Sequence, residues 1–475
     1  MKNSVGLVLG ALLVSLSIGP NSIAAQKKEG NASPAPSATP ALELKWSPSS
    51  NMDAQLFPSL IIATASQRPD KDEKQDPDLL GDPYGAVGVG VTLPKPHAKV
   101  RVTLRENWAM NTSSWSGELE KAGTEYYVAP PVNYKFDQLR KTHQQVPLNV
   151  TFELEVDGKS VGEQHETITV HSINDCPYGV AASEETIAAD GDEEGEEADD
   201  TDKESGKKPP TRSKSGLGEA VAQAAGDETV VSEESASEEE TTSDAAEDDG
   251  STDMGWMFAA YVNEGSSVVD KILKEALATK LVNHFAAYQG SSDDVLREVF
   301  AIWAALQARG IHYSSVTTTP GGTQTVYHQY VRFIEESLQN EQANCVDGSV
   351  LFASILRKLG MRTFLVTVPG HMYMGVYVSG KGDDRIAIET TMIGAGVSES
   401  EEQVKTIAPL RSLKATLDKK TRESAPWRTF EAAVTEGTHN LNNDRGKFDD
   451  QNNAEYQITD INEARRDGIM PIASE

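Results

Sequence analysis

The sequence predicts an α+β protein in which two folded parts flank an acidic connector, and three observations carry that prediction. Residues 46–182 hold short apolar or alternating runs separated by Gly and Pro, with no long helical period. Residues 183–253 are built from Glu, Asp, Ser, Ala, Gly and Thr, a composition that cannot bury a core. From residue 254 onward, apolar positions recur at three- and four-residue spacing before strand-like runs take over. At 475 residues the chain is too long for one ordinary domain. With 38% hydrophobic and 24% charged residues it is lean for a protein folded throughout, so part of it is expected to be disordered.

Residues 1–25 read as a secretory signal peptide: Lys2, an apolar core from Val5 to Ile18, then the small-residue stretch Ser22-Ile23-Ala24-Ala25. The apolar run is shorter than a membrane span and is broken by serines, Gly19 and Pro20. No cysteine follows it to carry a lipid. The mature chain is therefore expected to be secreted or periplasmic, with no stable membrane span. Residues 26–45 are rich in Pro, Ala and Ser and read as a flexible lead-in.

Within 46–182, Leu60-Ile61-Ile62, Val87 to Leu93, Val100 to Leu104, Val150 to Val156 and Ile168 to Val170 read as strands, and Asp157-Gly158 as a hairpin turn. Strands at this spacing fit an antiparallel β-sandwich of immunoglobulin-like type, a module that more often binds or positions than catalyses. Cys176, near the end of this region, reads as a small buried or edge residue. The rival reading pairs it with Cys345, the only other cysteine, in a disulfide. The connector at 183–253 carries about two-thirds of the chain's net charge of −30 and reads as a solvated, self-repelling linker. That charge argues against nucleic acid and anionic membranes as partners.

The second part, 254–475, opens with two amphipathic helices. Val269, Ile272, Leu273, Ala276, Lys280 and Leu281 share one face; Leu296, Val299, Phe300, Trp303 and Leu306 share another, after a cap at Ser292 and before a stop at Gly310. Thr317 to Tyr327, with Pro320-Gly321-Gly322, reads as a loop. Ala343-Asn344-Cys345-Val346-Asp347-Gly348 then places a cysteine directly before an apolar run, hence at a helix N-terminus, where unpaired N–H groups favour a thiolate. Phe364 to Val368 reads as a strand, Pro369-Gly370 as a turn, and His371 opens a second strand. Arg385 to Ile388 forms a third, ending in Glu389. Cysteine at a helix start, then histidine and a carboxylate on neighbouring strands, is the layout in which an imidazole takes the thiol proton and an acid orients the ring. Asp347 more simply stabilises the helix dipole, and His312 and His328 are weaker substitutes for His371. After Glu389 the chain is polar until Phe430, and Asp460 with Glu463 forms a late capping pattern.

No metal site or cofactor is expected. The chain has no C-x-x-C, H-x-x-x-H or H-E-x-x-H spacing, no Walker A loop, no dinucleotide fingerprint after a strand and no G-x-S-x-G elbow.

The runs Met254 to Val262, Ile302-Trp303 with Leu306-Gln307, Arg309 to Ser315, Asn344 to Gly348 and Pro369-Gly370-His371 resemble the transglutaminase-like superfamily of papain-type thiol enzymes, in a bacterial secreted subgroup. The resemblance covers roughly the second half. It implies a papain/transglutaminase-like fold for 254–475 and a catalytic Cys345, His371 and Glu389. The family usually has aspartate where this chain has Glu389. It further implies acyl transfer from an amide or peptide bond, with a protein or peptide of the cell envelope as substrate. Release to water would make a protease or amidase, and release to an amine a crosslinker. The competing class is a catalytically silent module of this fold that binds or scaffolds in the envelope. Oligomeric state is left open.

Limited proteolysis of the exported protein is expected to cut first within 183–253. Survival of that segment for as long as its flanks would contradict the division into two parts.

Overall fold

The computed structural model describes residues 43–67, 76–181, 252–315, 325–382, 384–395, 406–449 and 455–473. The signal-peptide reading, the body of the acidic connector, most of the 26–45 lead-in and most of the Thr317–Tyr327 loop lie outside them; Lys45 opens the strand Lys45–Ser50, and Val326 and Tyr327 open the strand Val326–Tyr330. Among the described residues the chain combines helices with several sheets, an α+β protein. No helix among them is long and apolar enough to cross a membrane.

The described residues divide into two compact units: 43–58, 76–173 and 180–181 in one, and 59–67, 174–179 and 252–473 in the other. The first contains a four-stranded sheet ordered Lys45–Ser50, Val87–Thr92, Glu125–Ala129, Leu79–Gly81. It also contains a five-stranded sheet ordered Gln55–Leu56, Lys159–Val170, Val146–Val156, Ala98–Leu104, Ser113–Leu119. Period-two burial explains the strands: Val100, Val102 and Leu104 are buried while Lys99 and Arg101 are exposed, as expected of strands with one dry face. Asp157 and Gly158 both take positive φ, the backbone that a tight hairpin turn requires.

One strand expected in this region is a helix. Leu60-Ile61-Ile62 lies within Pro58–Thr64, with Pro58 at its first position and the Thr64 hydroxyl donating to the Leu60 carbonyl at 2.7 Å. So short an apolar run does not by itself distinguish a buried strand from a buried helical turn.

In the second unit, helices α1 (Ser267–Ala278) and α2 (Ser292–Ala308) precede α3 (Cys345–Lys358). Strands β1 (Thr363–Val368), β2 (His371–Tyr377) and β3 (Arg385–Ile388) come next, then α4 (Ala425–Asn443) and β4 (Gln457–Asp460). The sheet order is β3-β2-β1-β4, antiparallel throughout. The cap of α2 is Ser291, one residue before the expected Ser292. Only from there can the Asp294 carboxylate return to the cap's own N–H, at 2.8 Å, and close a capping box.

α3 packs on β1 and β2, while Leu441 of α4 joins Phe364, Tyr373, Tyr377 and Ala387 in one buried cluster. Phe300 and Trp303 of α2, Phe352 of α3, and Trp427 and Phe430 of α4 meet with ring centroids 5.0 to 6.0 Å apart. This aromatic knot ties three helices together. Trp303 is fully buried and its indole N–H donates to the Thr429 hydroxyl at 3.0 Å, so it is a core anchor. Trp303→Ala is expected to lower the unfolding free energy by about 3–5 kcal/mol, and Thr429→Val by about 1 kcal/mol. Urea titration monitored by circular dichroism checks both; equal losses would mean that the hydrogen bond, rather than ring packing, dominates.

Candidate active site

Each residue of the run Asn344 to Gly348 has a physical task at the start of α3. The Asn344 side chain accepts from the Asp347 N–H at 2.8 Å, and Asp347 returns a carboxylate oxygen to the Asn344 N–H at 3.2 Å, a closed capping box. Cys345 is thereby the first helical residue. Its N–H belongs to the helix's first turn, whose donors have no acceptor within the helix. Val346 is buried. Cys345 itself is partly exposed, and its thiol is free.

Asp347 is fully buried, and burial pushes its pKa up against the hydrogen bonds that hold it charged. Besides Asn344 it accepts the Arg332 backbone N–H at 2.8 Å and the Arg332 guanidinium at 2.7 Å. The carboxylate is thus fully engaged in fixing the helix start to the segment that precedes Phe333.

Gly348 explains how the acid comes near. A Cβ at this position would lie 3.0 Å from the Thr390 hydroxyl and 3.2 Å from its Cβ, so a side chain here would press Thr390 away. The Ser349 hydroxyl donates to the Cys345 carbonyl at 2.7 Å and lies 3.3 Å from the Thr390 hydroxyl. Thr390 therefore sits on the first turn of α3, and the residue before it is Glu389.

Glu389 is buried, and its two carboxylate oxygens divide the labour. One accepts the Thr391 N–H at 3.2 Å and the Thr391 hydroxyl at 2.6 Å. The other lies 2.7 Å from His371 Nε2. Glutamate's additional methylene is held by Thr391, which removes a rotational freedom that would otherwise blur the aim. His371 opens β2 opposite Val368, the last residue of β1, in a tight hairpin. Its side chain is about a third exposed.

With Nε2 occupied by Glu389, the other ring nitrogen is left for Cys345. Burial lowers the His371 pKa, but its interactions with Cys345 and then Glu389 outweigh that and raise it from 6.5 to about 10.

The structure brings Cys345, His371 and Glu389 together, in keeping with the order of elements in the sequence. Among the other candidates, Asp347 is occupied as a cap and ion-pair partner. His312 is exposed and hydrogen-bonded to the Gly310 carbonyl, and His328 is buried in the strand Val326–Tyr330. Cys176 is buried and its thiol is free, with burial raising its pKa well above the usual range. The disulfide to Cys345 is not formed.

Sequence reasoning gives Tyr313 no role. It lies in the short strand His312–Tyr313, paired in parallel with Gln342–Ala343 just before the nucleophile helix, and is 45% exposed. Its phenol is raised by burial and by the nearby charges of Cys345 and Glu389. Its place in the run Arg309 to Ser315 is the available signal. An exposed aromatic beside a thiol and an acid offers a surface for a substrate chain.

Asp347→Ala is expected to destabilise the protein by about 3–5 kcal/mol, because it strands the Arg332 charge and opens the cap. The comparison is with Arg332→Met/Asp347→Leu, which removes both charges and is expected to recover part of the loss. Chemical denaturation measures both. A neutral Asp347→Ala would contradict the capping role.

The chain matches no family model, no curated protein and no solved structure, so the chemistry of the site is argued from its own geometry.

Proposed function

We propose that this protein is an exported cysteine-dependent acyl-transfer enzyme acting on amide or peptide bonds, with Cys345 as nucleophile, His371 as general acid and base, and Glu389 as orienting acid. The observation that carries this reading is the meeting of these three side chains from a helix start, a strand start and a strand end, with the Glu389–His371 bond at 2.7 Å. In the same reading 254–475 is a papain/transglutaminase-like domain, and 46–182 is an immunoglobulin-like sandwich that binds or positions the substrate.

The reaction runs in two halves. The Cys345 sulfur attacks the carbonyl carbon, and the carbonyl electron pair moves onto oxygen, facing the unpaired N–H of Cys345. The oxyanion collapses, the carbon–nitrogen bond breaks, and the departing amine takes the His371 proton. The enzyme is left as a thioester. Water or a second amine then gives a proton to His371 as it attacks the thioester carbon, and the thiolate leaves. Tyr313 flanks this path and contacts the acyl chain. Glu389 keeps the ring aimed at sulfur in both halves and favours the imidazolium.

The test is turnover of unfolded casein and of fluorogenic peptide amides, with and without a primary amine acceptor. Cys345→Ala and His371→Ala are expected to reduce turnover to background, and Glu389→Gln by roughly ten- to ten-thousandfold. Turnover that survives Cys345→Ala would overturn the assignment.

A further inference from the structure

β3 ends the sheet, so its outward backbone groups need partners from outside the sheet. In an antiparallel pair, alternate residues point their N–H and C=O away from the neighbouring strand. Here the outward residues are Arg385, Ala387 and, just past the end of β3, Glu389, and the last two are met by α4. The Thr438 hydroxyl accepts the Ala387 N–H at 3.0 Å and donates to the Ala387 carbonyl at 3.2 Å. The Ala433 carbonyl accepts the Glu389 N–H at 3.0 Å. That carbonyl belongs to a helix interior and already lies in the α4 ladder, so it serves two donors.

This contact needs the helix axis unusually close to the strand. A Cβ at Gly437 would lie 2.8 Å from the Ala387 carbonyl carbon and from the Ile388 nitrogen. Backbone atoms in a sheet cannot yield to such a clash, so glycine is required at that face of α4. The hydroxyl of Thr438 is one of the few side chains able to donate and accept from a single atom at this range. Thr438 and Gly437 are both buried.

We infer that α4 acts as the missing edge partner of β3, and that Thr438 is a positioning residue for Glu389, setting how far its carboxylate reaches toward His371. The inference rests on the reading of Cys345, His371 and Glu389 as one unit. Its readout is the resting ring of His371 and needs no turnover, so failure to find a substrate leaves it testable.

The experiment is nuclear magnetic resonance titration of the His371 ring in the full exported chain, alongside amide exchange at Ala387 and Glu389. In the unmodified protein the Glu389 amide is expected to be protected like a sheet interior. Thr438→Val, nearly isosteric but without the hydroxyl, is expected to speed exchange at both amides and lower the His371 titration midpoint by about one unit. Thr438→Ser should restore both, and Gly437→Ala should mimic Thr438→Val. A Thr438→Val protein with an unchanged His371 midpoint would overturn the inference, even if it were less stable. So would a freely exchanging Glu389 amide in the unmodified protein, a measurement that needs no variant to fold.

Discussion

A carboxylate is not buried without donors, and the placement of Asp347 obeys that constraint. It is wholly removed from water at the first turn of α3, where it closes the cap with Asn344 and receives both the backbone and the guanidinium of Arg332. The start of the helix is thereby fixed, and with it the position of Cys345 as first helical residue. Shifting the start by one residue would turn the thiol by about 100° around the helix axis. The seat of Thr390 on Gly348 and the aim of Glu389 at His371 both refer to that fixed turn.

The site is built by elements that each satisfy their own backbone first. The helix start is closed by side chains, the β1–β2 hairpin by strand pairing, and the outer edge of β3 by α4. The side chains they present are then held by short local bonds: Thr391 on Glu389, Ser349 on Cys345. Precision in such a site comes from the scaffold's hydrogen-bond accounting, and the cost of ordering the long Glu389 side chain is spread over bonds to its near neighbours.

Much of this is legible in the sequence because the signals are local. An Asn–Cys pair before an apolar run marks a helix start, Pro369-Gly370 between apolar runs marks a hairpin, and the strand from Arg385 ends next to the strand that His371 opens. The illegible parts depend on contacts distant in sequence. Arg332, flanked by Val331 and Phe333, and Thr438, in a polar stretch, carry no period or spacing that marks them as the partners of Asp347 and Ala387. The stretch after Glu389 reads as polar until Phe430, yet α4 begins at Ala425 and already buries Trp427, before Phe430, Val434 and Leu441 follow at helical spacing among its polar residues. Tyr313 escapes for a related reason: a two-residue strand carries too few positions to show a pattern, and its nearness to Cys345 comes from parallel pairing with Gln342–Ala343. The helix at Pro58–Thr64 reads as strand because its apolar run is too short to display a period.

The central claim is that thiol, imidazole and carboxylate behave as one electrostatic unit in the resting protein. Titration of the His371 ring by nuclear magnetic resonance, in the unmodified chain and in Cys345→Ala, tests it most directly. The histidine pKa is raised from 6.5 to about 10, so the imidazolium is expected to persist through neutral pH and to lose its proton only as the pH rises toward that value. Removing the thiol should lower the midpoint while leaving it above 6.5, because Glu389 still holds Nε2. A ring that titrates near 6.5 in both proteins would contradict the claim.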